Sequence, residues 1–534
     1  MRLKMPMHGY SLFFLALLVL LSSWKVCFCG KILVVPFEGS HWLNMEVLVK
    51  ALHSHGHSMD VIRTDKSWYI KDGMPHYNTI TVSVNEVFDP DFVNPLLEKT
   101  FALERQQSSL MSFLGLNLQM FEAMSGTSRI MCKLAIEVLK DDNLMARLRE
   151  SHYDLVLTDP ELGTGIMLAH ALQLPLVYNV RWVMSKEGHL VLAPSPLSYV
   201  PMTGSGLSDK MTFFQRIKNL VYFATWEFQY IFLVIPHYQA VCDQFFGPEV
   251  RFDELIQSAD LWLMRADFVF EFPRPTMPNV IYMGGFQCKS AEPLPDHLEE
   301  FVQSSGEHGI IVMSLGTIVS QLPEDVADEI AATFAKLPQK VIWSYRGSKP
   351  STLGNNTLLV NWMPQNDLLG HPKTKLFVAH GGTSGVLEAI YHSVPVVGIP
   401  LFFDQYDNLV RLSERGAGVM VTLASIDKDD NFLKALQEVM TNPSYRNNMQ
   451  RLSKLHKDQP IPPLDNALFW IEFVMRHQGA THLRTESYKL PWYAYYSVDV
   501  YLFLSGVVLV LLLTFFIMMR LLCSALCKSK LKRD

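Results

Sequence analysis

The sequence has little cysteine, no excess of basic charge and no metal-binding spacing, and each shortage excludes a class of protein. The 534 residues contain 7 Cys, too few in a chain of this length to imply a disulfide framework. Lys and Arg number 46 against 52 Asp and Glu, for a net charge of −6, so the chain offers no overall basic field to nucleic acid. No C-x-x-C or H-E-x-x-H spacing indicates a zinc site. Apolar residues make up 49% of the chain, which is enough for a large core.

Uninterrupted apolar runs lie near the two ends of the chain. The first, Leu12 to Leu21, follows early basic residues and precedes small and mixed residues, which is the order of a secretory signal. We expect residues 1–29 to form this signal, with cleavage near Cys29 or Gly30. The second run, Val500 to Met519, carries no charge and is long enough to span a bilayer.

The flanks of the second run predict how the chain is oriented. Trp and Tyr residues precede it and a basic tail, residues 520–534, follows it, as is typical of a single-pass helix with a cytosolic tail. Residues 30–499 are then expected on the lumenal side. Lys530 and Lys532 fit a K-x-K-x-x signal, which favours residence in the endoplasmic reticulum. In a lumenal loop, Asn355 would be a candidate glycosylation site.

Between the two ends, short apolar strands alternate with amphipathic helices, twice over. The first series begins with the buried-strand pattern Lys31–Phe37 and includes a second strand at Tyr153–Thr158. After a segment rich in Gly and Pro, the alternation restarts at Gly309. This predicts two doubly wound α/β domains, residues 30–285 and 286–490, with a ligand crevice between the carboxyl ends of their strands.

An aromatic stretch interrupts the first series at Val221–Pro236. It is too broken to span a bilayer. We expect a core helix here, while a wall of a binding site or a contact with the membrane surface stays open.

A glycine-rich turn in the second domain is the first candidate for ligand binding. The turn HGGTSG, from His380 through Gly381, Gly382 and Ser384 to Gly385, follows a strand and begins a helix. Backbone N–H groups and the positive helix end can therefore face a phosphate, and His380 adds a donor for a diphosphate oxygen. A tight strand-to-helix turn without a ligand is the alternative.

Side chains near other strand ends could complete a nucleotide site. Trp362 offers a stacking face and Gln365 an amide for a base edge, while Glu388, about one turn into the helix, can accept from ribose hydroxyls. Asp404 and Gln405 supply acceptor and donor atoms for sugar hydroxyls. Each of these could instead be a solvated loop or helix residue.

The same segments resemble the vertebrate UDP-glucuronosyltransferases. The resemblance rests on WMPQNDLLGHPKT at Trp362–Thr374, FVAHGG at Phe377–Gly382 and PLFFDQ at Pro400–Gln405, with Gly39–Trp42 and Phe272–Pro275 in the family order. It covers nearly the whole chain. It implies a two-domain GT-B glycosyltransferase whose C-terminal domain holds a UDP-sugar and whose N-terminal domain holds a small lipophilic acceptor. It implies no permanently bound cofactor, with UDP-glucuronic acid as the co-substrate.

The resemblance also implies catalytic roles for two residues of the first domain. His41 matches the family's general base, and an imidazole suits the removal of a hydroxyl proton near neutral pH. Asp159 matches the carboxylate that orients this imidazole and stabilises its cation. The implied reaction is a single inverting displacement in which UDP leaves, stabilised by His380, the glycine-rich turn and Ser314.

Two positions bear on the identity of the sugar. Arg265 resembles the arginine that the family is thought to use against the glucuronic acid carboxylate, a bidentate match that a neutral hexose would not need. An interdomain ion pair is the alternative. Ser384 stands where family members often carry Asn or His, so it departs from the pattern while keeping a donor and an acceptor. Two Asp-x-Asp sequences, at 89–91 and 427–429, are interpreted as turns, and no metal is assigned.

Two further hypotheses stay open. One is a UDP-hexose transferase that acts on a membrane lipid or sterol, and the other is a non-catalytic partner subunit that keeps the fold and modulates an active relative. The intact His41, Asp159 and His380 argue against the second. A homo- or hetero-oligomer is compatible with the sequence.

Overall fold

The computed structural model describes residues 29–530, except for residues 88, 106–109, 181, 184–185, 318, 320, 403 and 427. The predicted secretory signal therefore lies outside the described residues apart from Cys29, and so do Asp427 and the end of the basic tail, residues 531–534. Up to Leu483, the described chain forms one unit that contains two parallel sheets.

The first sheet has seven parallel strands. They are β1 (Lys31–Val35), β2 (Ser58–Thr64), β3 (Asn78–Val82), β4 (Leu155–Thr158), β5 (Leu176–Val180), β8 (Leu261–Met264) and β9 (Val280–Tyr282). Their order is β3-β2-β1-β4-β5-β8-β9, and β6 (Trp182–Val183) and β7 (Lys186–Glu187) form a separate antiparallel ribbon. The helices of this region are α1 (Ser40–Ser54), α2 (Pro90–Glu104), α3 (Leu110–Lys140), α4 (Asp142–Glu150), α5 (Thr164–Leu172), α6 (Gly188–Leu192), α7 (Phe213–Gln229), α8 (Ile235–Phe245) and α9 (Phe252–Gln257).

The register of two central strands positions the catalytic candidates. In β1 the residues from Ile32 to Val35 are all buried, and so is the whole of β4, because helices cover both faces of a doubly wound sheet. Val35 pairs with Thr158 at the ends of the two strands. The segments that follow β1 and β4 therefore leave the sheet side by side at its carboxyl edge.

The second sheet has six parallel strands in the same type of arrangement. They are β10 (Ile310–Ser314), β11 (Lys340–Ser344), β12 (Thr357–Val360), β13 (Thr374–Ala379), β14 (Val396–Gly398) and β15 (Gly418–Met420), in the order β12-β11-β10-β13-β14-β15. The associated helices are α10 (Asp296–Gln303), α11 (Glu324–Ala335), α12 (Gln365–Gly370), α13 (Thr383–Tyr391), α14 (Gln405–Glu414), α15 (Asn431–Thr441) and α16 (Pro443–Lys457). The predicted doubly wound α/β fold with two parallel sheets is confirmed, whereas the domain bounds 30–285 and 286–490 stay a prediction.

The chain crosses between the sheets twice. After β9 it passes through Gly284 and Gly285 before α10 begins. It returns with α17 (Pro463–His477), which buries Ile471 and Val474 in the core of the first sheet. Residues from both halves also meet directly, since the Asp407 carboxylate accepts backbone hydrogen bonds across the cleft from residues 204 and 206, at 2.6 and 3.0 Å.

The aromatic stretch at 221–236 is only partly buried. α7 continues through a π-helical turn, Tyr230–Val234, into α8. On α7 the buried residues include Asn219, whose amide donates to two carbonyl groups of the preceding loop, whereas Phe228 and Phe232 are 49% and 62% exposed. The expectation of a core helix is therefore wrong for the face that carries Phe228 and Phe232. On another face, the polar side chain of Asn219 attaches α7 to the preceding loop.

The second unit, residues 484–534, is mostly one helix. After the short α18 (Trp492–Tyr495) comes α19 (Val498–Lys530), of 33 residues. Its segment Val498–Leu526 is long and apolar enough to cross a membrane, with a mean hydropathy of 2.8. The helix extends past the predicted span 500–519 at both ends, since helical structure continues into the basic tail.

Candidate active site

A histidine and an aspartate meet at the carboxyl edge of the first sheet. His41 lies in the first turn of α1, after a turn at Gly39 with φ of 71°, and Asp159 directly follows β4. His41 Nδ1 is 2.7 Å from Asp159 Oδ2, and the other carboxylate oxygen accepts the backbone N–H of Glu161 at 3.0 Å. Because a carboxylate only accepts, Nδ1 carries the hydrogen and Nε2 has the lone pair. The dyad can therefore take a proton at Nε2.

Arg265 lies beside this dyad. It directly follows β8 and is buried. Its Nη2 atom is 3.9 Å from Asp159 Oδ2 and 3.3 Å from His41 Nδ1. Arg265 and Asp159 thus form an ion pair, as the alternative predicted. The pair lies within the first domain and does not connect the two domains. A place against a sugar carboxylate stays a prediction.

The glycine-rich turn has the backbone that its sequence predicts. Gly381 has φ of 90°, and a Cβ atom there would lie 2.8 Å from the Gln405 carbonyl oxygen. Only glycine fits such a position without strain. Gly382 then precedes α13 as its N-cap, so the free N–H groups at this helix end can meet an anion. The helix begins at Thr383, within the HGGTSG turn.

His380 lies between glycines of two neighbouring loops. A Cβ atom at Gly316, which follows β10 with φ of 86°, would lie 2.7 Å from His380 Nε2. Burial lowers the pKa of His380 to about 4, against smaller raising effects of the Ser314 backbone and Asp404. The imidazole is therefore neutral at pH 7, and it can offer a phosphate one N–H donor and no positive charge.

Ser314 is the nearest neighbour of this turn on the next strand. It pairs with Ala379 at the ends of β10 and β13, which places it beside His380. Its hydroxyl accepts the backbone N–H of Gly316 at 3.3 Å. The hydroxyl hydrogen can still be donated, as the predicted role in stabilising a leaving group requires.

Gln365 and Glu388, predicted as separate ligand contacts, bind each other. Gln365 Nε2 donates to Glu388 Oε2 at 2.7 Å. Burial raises the pKa of Glu388 to about 7, and the bond from Gln365 opposes this rise. Trp362, between β12 and α12, is 72% exposed, so its ring is open to stacking. The three side chains lie near the carboxyl ends of adjacent strands, where a nucleoside could be held.

Asp404 and Gln405 take part in a hydrogen-bond network around the turn. Asp404 Oδ2 accepts from Thr383 Oγ1 at 3.1 Å and from Asn408 Nδ2 at 3.0 Å. Asn408 also donates to the Gly381 carbonyl oxygen at 2.8 Å. Gln405 uses its side-chain oxygen to accept two N–H groups of its own loop, which leaves the amide nitrogen as the group able to donate to a sugar.

A hydrogen bond across the cleft joins the two halves of the site. Asn44, one turn after His41 on α1, donates from Nδ2 to Ser384 Oγ at 3.2 Å. Ser384 is the second residue of α13, two positions after Gly382. Residues three apart lie on the same face of a helix, so His41 faces the glycine-rich turn.

Three contributors were not among the predicted site residues. Thr383 appeared only as part of the glycine-rich turn, and neither Asn408 nor Asn44 was singled out. The spacing of Asn44 from His41 places both on one helix face, which was the available signal. Nothing in the sequence indicated that Ser384 would be its partner.

A small cavity of about 60 Å³ lies near the dyad, although neither His41 nor Asp159 lines it. Phe37 forms part of its wall, and its ring is edge-on to His41 at 5.2 Å between centroids. Other apolar side chains of the wall are Ile62, Ile70, Val84, Ile130, Met131 and Leu162. Its wall is mostly apolar, as in sites that bind lipophilic molecules, but its volume is well below that of a typical ligand pocket.

The first Asp-x-Asp sequence, interpreted as a turn, is instead the start of a helix. Asp89 caps α2 by accepting the backbone N–H of Phe92 at 3.0 Å. The first residue of the second such sequence lies outside the described residues. Within the described part of the chain, no group of three or more His, Cys, Asp or Glu side chains is placed to hold a metal ion.

Comparison with known proteins gives the chain's relatives. A family model described as "UDP-glucoronosyl and UDP-glucosyl transferase" matches residues 30–533. The mouse protein UDP-glucuronosyltransferase 2A3 is 42% identical over 530 residues, with 94% of each chain covered. The rabbit protein UDP-glucuronosyltransferase 2B16 is 42% identical over 500 residues, covering 91% of this chain and 94% of its own.

Solved structures with low sequence identity share the fold. One is a complex of a UDP-glucosyltransferase from Polygonum tinctorium, with a TM-score of 0.56, 15% identity, and coverage of 84% of this chain and 99% of its own. Another is the glycosyltransferase of kitacinnamycin, with a TM-score of 0.54, 14% identity and coverage of 83% and 99%. Both support the two-sheet glycosyltransferase architecture, GT-B, for this chain.

Proposed function

Because this chain belongs to the UDP-glucuronosyl and UDP-glucosyl transferase family, we propose that it transfers glucuronic acid from UDP-glucuronic acid to a hydroxyl group of a small lipophilic acceptor. The observation that carries the proposal is the distance of 2.7 Å between His41 Nδ1 and Asp159 Oδ2, with His41 on the same helix as Asn44, which donates to Ser384 of the glycine-rich turn. A base and a nucleotide-binding turn are what direct transfer from a UDP-sugar needs.

The first step is proton removal from the acceptor. His41 Nε2 takes the hydroxyl proton as the acceptor oxygen attacks the anomeric carbon of the sugar. Asp159 fixes the tautomer through Nδ1 and stabilises the imidazolium that forms. The bond between the anomeric carbon and the UDP oxygen breaks as the new bond forms, so the configuration is inverted and no covalent enzyme intermediate is needed.

The second domain stabilises the departing diphosphate. The N–H groups at the start of α13 and the neutral imidazole of His380 supply donors, with the Ser314 hydroxyl beside them. Because burial holds the pKa of His380 at about 4, the neutral imidazole contributes a hydrogen bond and no charge. The negative charge of the diphosphate is therefore stabilised mainly by the helix end. Trp362 and the Gln365–Glu388 pair are proposed to hold the uridine.

Donor competition combined with two substitutions tests this function. Membranes that contain the full chain are supplied with a phenol and with UDP-glucuronic acid, UDP-glucose, UDP-galactose, UDP-xylose or UDP-N-acetylglucosamine. We expect transfer chiefly from UDP-glucuronic acid, its loss in His41→Ala, and a weaker preference for the charged sugar in Arg265→Leu. A wild-type preference for a neutral sugar would instead favour a UDP-hexose transferase. UDP binding without transfer from any donor would favour a non-catalytic partner.

We further propose that residues 30–497 lie in the lumen of the endoplasmic reticulum and that the tail is cytosolic. The apolar segment Val498–Leu526 and the basic residues after it support this orientation. The side chain of Asn355 is exposed, so a glycan there would mark the lumenal side. Protease added to sealed microsomes should remove a C-terminal tag and spare the remainder. Degradation of the large unit would reverse the proposed orientation.

A further inference from the structure

The first turn of α14 connects the proposed donor site to the first domain. Asp404 is the N-cap of this helix and Gln405 its first residue, and both are predicted to contact the sugar. Two positions later, Asp407 uses each of its carboxylate oxygens for a different backbone N–H group of the first domain, those of Gly204 and Gly206, at 2.6 and 3.0 Å. A ligand that fixes the start of α14 therefore also fixes the carboxylate that holds this loop.

The loop, residues 202–206, is bound from its other side by α7 of its own domain. Asn219 Oδ1 accepts the backbone N–H of Met202 at 2.6 Å. The Lys218 ammonium donates to the Ser205 carbonyl oxygen, also at 2.6 Å. The loop thus lies between α7 and α14 and is hydrogen-bonded to both, so the position of one helix constrains the position of the other.

Other side chains of α14 contact the first domain at successive turns. Tyr406 donates from its hydroxyl to Oε2 of Glu104, the last residue of α2, at 2.7 Å. One turn further, Arg411 Nε lies 3.1 Å from Glu271 Oε2, and Arg415 Nη2 donates to the Glu271 carbonyl oxygen at 2.7 Å. The helix that begins at the donor site is therefore also the one that binds several separate parts of the first domain.

The Asp407 carboxyl is buried and mostly ionised at neutral pH. Burial raises its pKa to about 6, while the charge of Arg411 and the N–H groups of Gly204 and Gly206 oppose this rise and Asp404 adds to it. At pH 7 most of the group is thus a carboxylate, and both oxygens can accept hydrogen bonds. An asparagine has a single acceptor oxygen and would leave one of the two N–H groups without a partner.

We propose that Asp407 is a positioning residue through which a nucleotide-sugar bound at the start of α14 strengthens the hold on residues 202–206 and so fixes the two halves for transfer. The proposal rests on the proposed function, which places the donor at this helix. Binding that orders the first turn of α14 lowers the entropy cost of ordering the groups hydrogen-bonded to it. Asp407 acts in this way through backbone N–H groups and needs no contact with the sugar.

Hydrogen exchange tests this coupling without requiring transfer. The full chain in detergent micelles is labelled at pH 7.5 with and without UDP-glucuronic acid, and mass spectrometry follows one peptide that covers the loop 202–206 and one that covers the turn 380–385. In wild type the donor should slow exchange in both peptides, by about fivefold or more in the loop. In Asp407→Asn the turn should stay protected and the loop should lose its protection. Protection of the turn alone in wild type would overturn the proposal, and this comparison needs no variant.

A matched control separates coupling from general loosening. Asp328 also accepts a backbone N–H group, that of Ser351 at 2.6 Å, but this bond lies within the second domain. Asp328→Asn should leave the donor-dependent protection of the loop unchanged. Equal loss of that protection in Asp328→Asn and Asp407→Asn would mean that Asp407 has no specific part in the coupling.

Kinetics separate positioning from donor binding. In Asp407→Asn the affinity for UDP should change by less than about twofold in equilibrium dialysis, because the predicted contacts of UDP lie in the second domain. The kcat for a phenol should fall about tenfold or more, because the base and the leaving group are no longer held in alignment. An unchanged kcat would overturn the proposal. Donor-dependent protection of the loop without transfer by wild type would count against the proposed function only.

Discussion

Asp159→Asn is expected to remove most of the activity by reversing the tautomer of His41. One oxygen of Asp159 accepts the backbone N–H of Glu161 at 3.0 Å, and the other faces His41 Nδ1 at 2.7 Å. An asparagine has a single acceptor oxygen, and the backbone N–H can only be met by that oxygen. Its NH2 group must then face Nδ1, so Nδ1 becomes the acceptor and the hydrogen moves to Nε2. The imidazole can no longer take a proton from the acceptor.

The size of the effect follows from which interaction is lost. In serine proteases the corresponding Asp-to-Asn change lowers kcat about 10⁴-fold through the wrong tautomer. Asp159 is fully buried and His41 is only 18% exposed, so water offers little compensation. We expect kcat to fall by about 10³- to 10⁴-fold, or roughly 4 to 5.5 kcal/mol at 1.36 kcal/mol per decade. The affinity for UDP, which is proposed to bind the second domain, should be unchanged.

Acceptors of graded acidity make this assay specific to proton removal. Initial rates are measured with phenols whose own pKa values span about 7 to 10, the upper limit being that of an ordinary phenol. An acidic phenol reaches the site largely ionised and needs the base least, so the loss in Asp159→Asn should shrink as acidity rises. Asp154→Asn, at the other end of β4, is the matched control, because Asp154 Oδ2 accepts the Lys31 backbone N–H at 2.7 Å and an amide oxygen can do the same. A loss below tenfold, or one equal for all phenols, would refute the role of His41 as base.

Four further outcomes are expected. Burial holds the pKa of Glu388 at about 7, so UDP affinity should rise about three- to tenfold between pH 6 and 8 as the carboxylate forms; equilibrium dialysis should show no such rise in Glu388→Gln. The ordinary pKa of this carboxyl is 4.5, so the stability linked to its raised pKa in the folded state is full only below that pH and is lost as the pH rises to about 7. Glu388→Gln should therefore melt above wild type at pH 8 and with it at about pH 4. Gly381→Ala should weaken UDP binding at least about tenfold, because φ of 90° and the nearby carbonyl oxygen both oppose a Cβ atom, whereas Gly73→Ala, at φ of 71° with no atom within 4 Å, should leave binding intact. Asn44→Ala removes the bond across the cleft and should raise the KM for UDP-glucuronic acid about three- to tenfold at full UDP affinity; an unchanged KM would mean that this bond does not align the two halves.

The strand pattern made much of the fold predictable. Parallel strands buried on both faces need near-continuous apolar runs, and the helices between them need one apolar side, so the alternation could be read directly. The positions of functional residues at the strand ends could be predicted in the same way. His41, Asp159 and His380 each come directly or shortly after a strand, and parallel strands deliver such residues to one edge of each sheet.

Partners within the site were not predictable in the same way. Gln365 and Glu388 are 23 residues apart and bind each other, while the sequence suggested two independent ligand contacts. Arg265 contacts Asp159, 106 positions away in the chain, at 3.9 Å. An amide, a carboxylate or a guanidinium has many suitable partners, and only the packing of the strands decides which one it meets.

One of the contacts across the cleft was the least predictable of all. Asn44 and Ser384 are 340 residues apart and join two domains that each bury their own core. Hydrophobic periodicity identifies the residues of a core but not the contacts between the surfaces of two domains. Polar residues at such a contact could equally well be solvated, so the sequence does not indicate which of them will pair. Together with the hydrogen bonds of Asp407 to residues 204 and 206, this contact joins the two halves of the proposed site, although a single such bond contributes little to folding. Substitutions here should therefore change kinetics before they change stability, which is the reverse of what substitutions in either sheet should do.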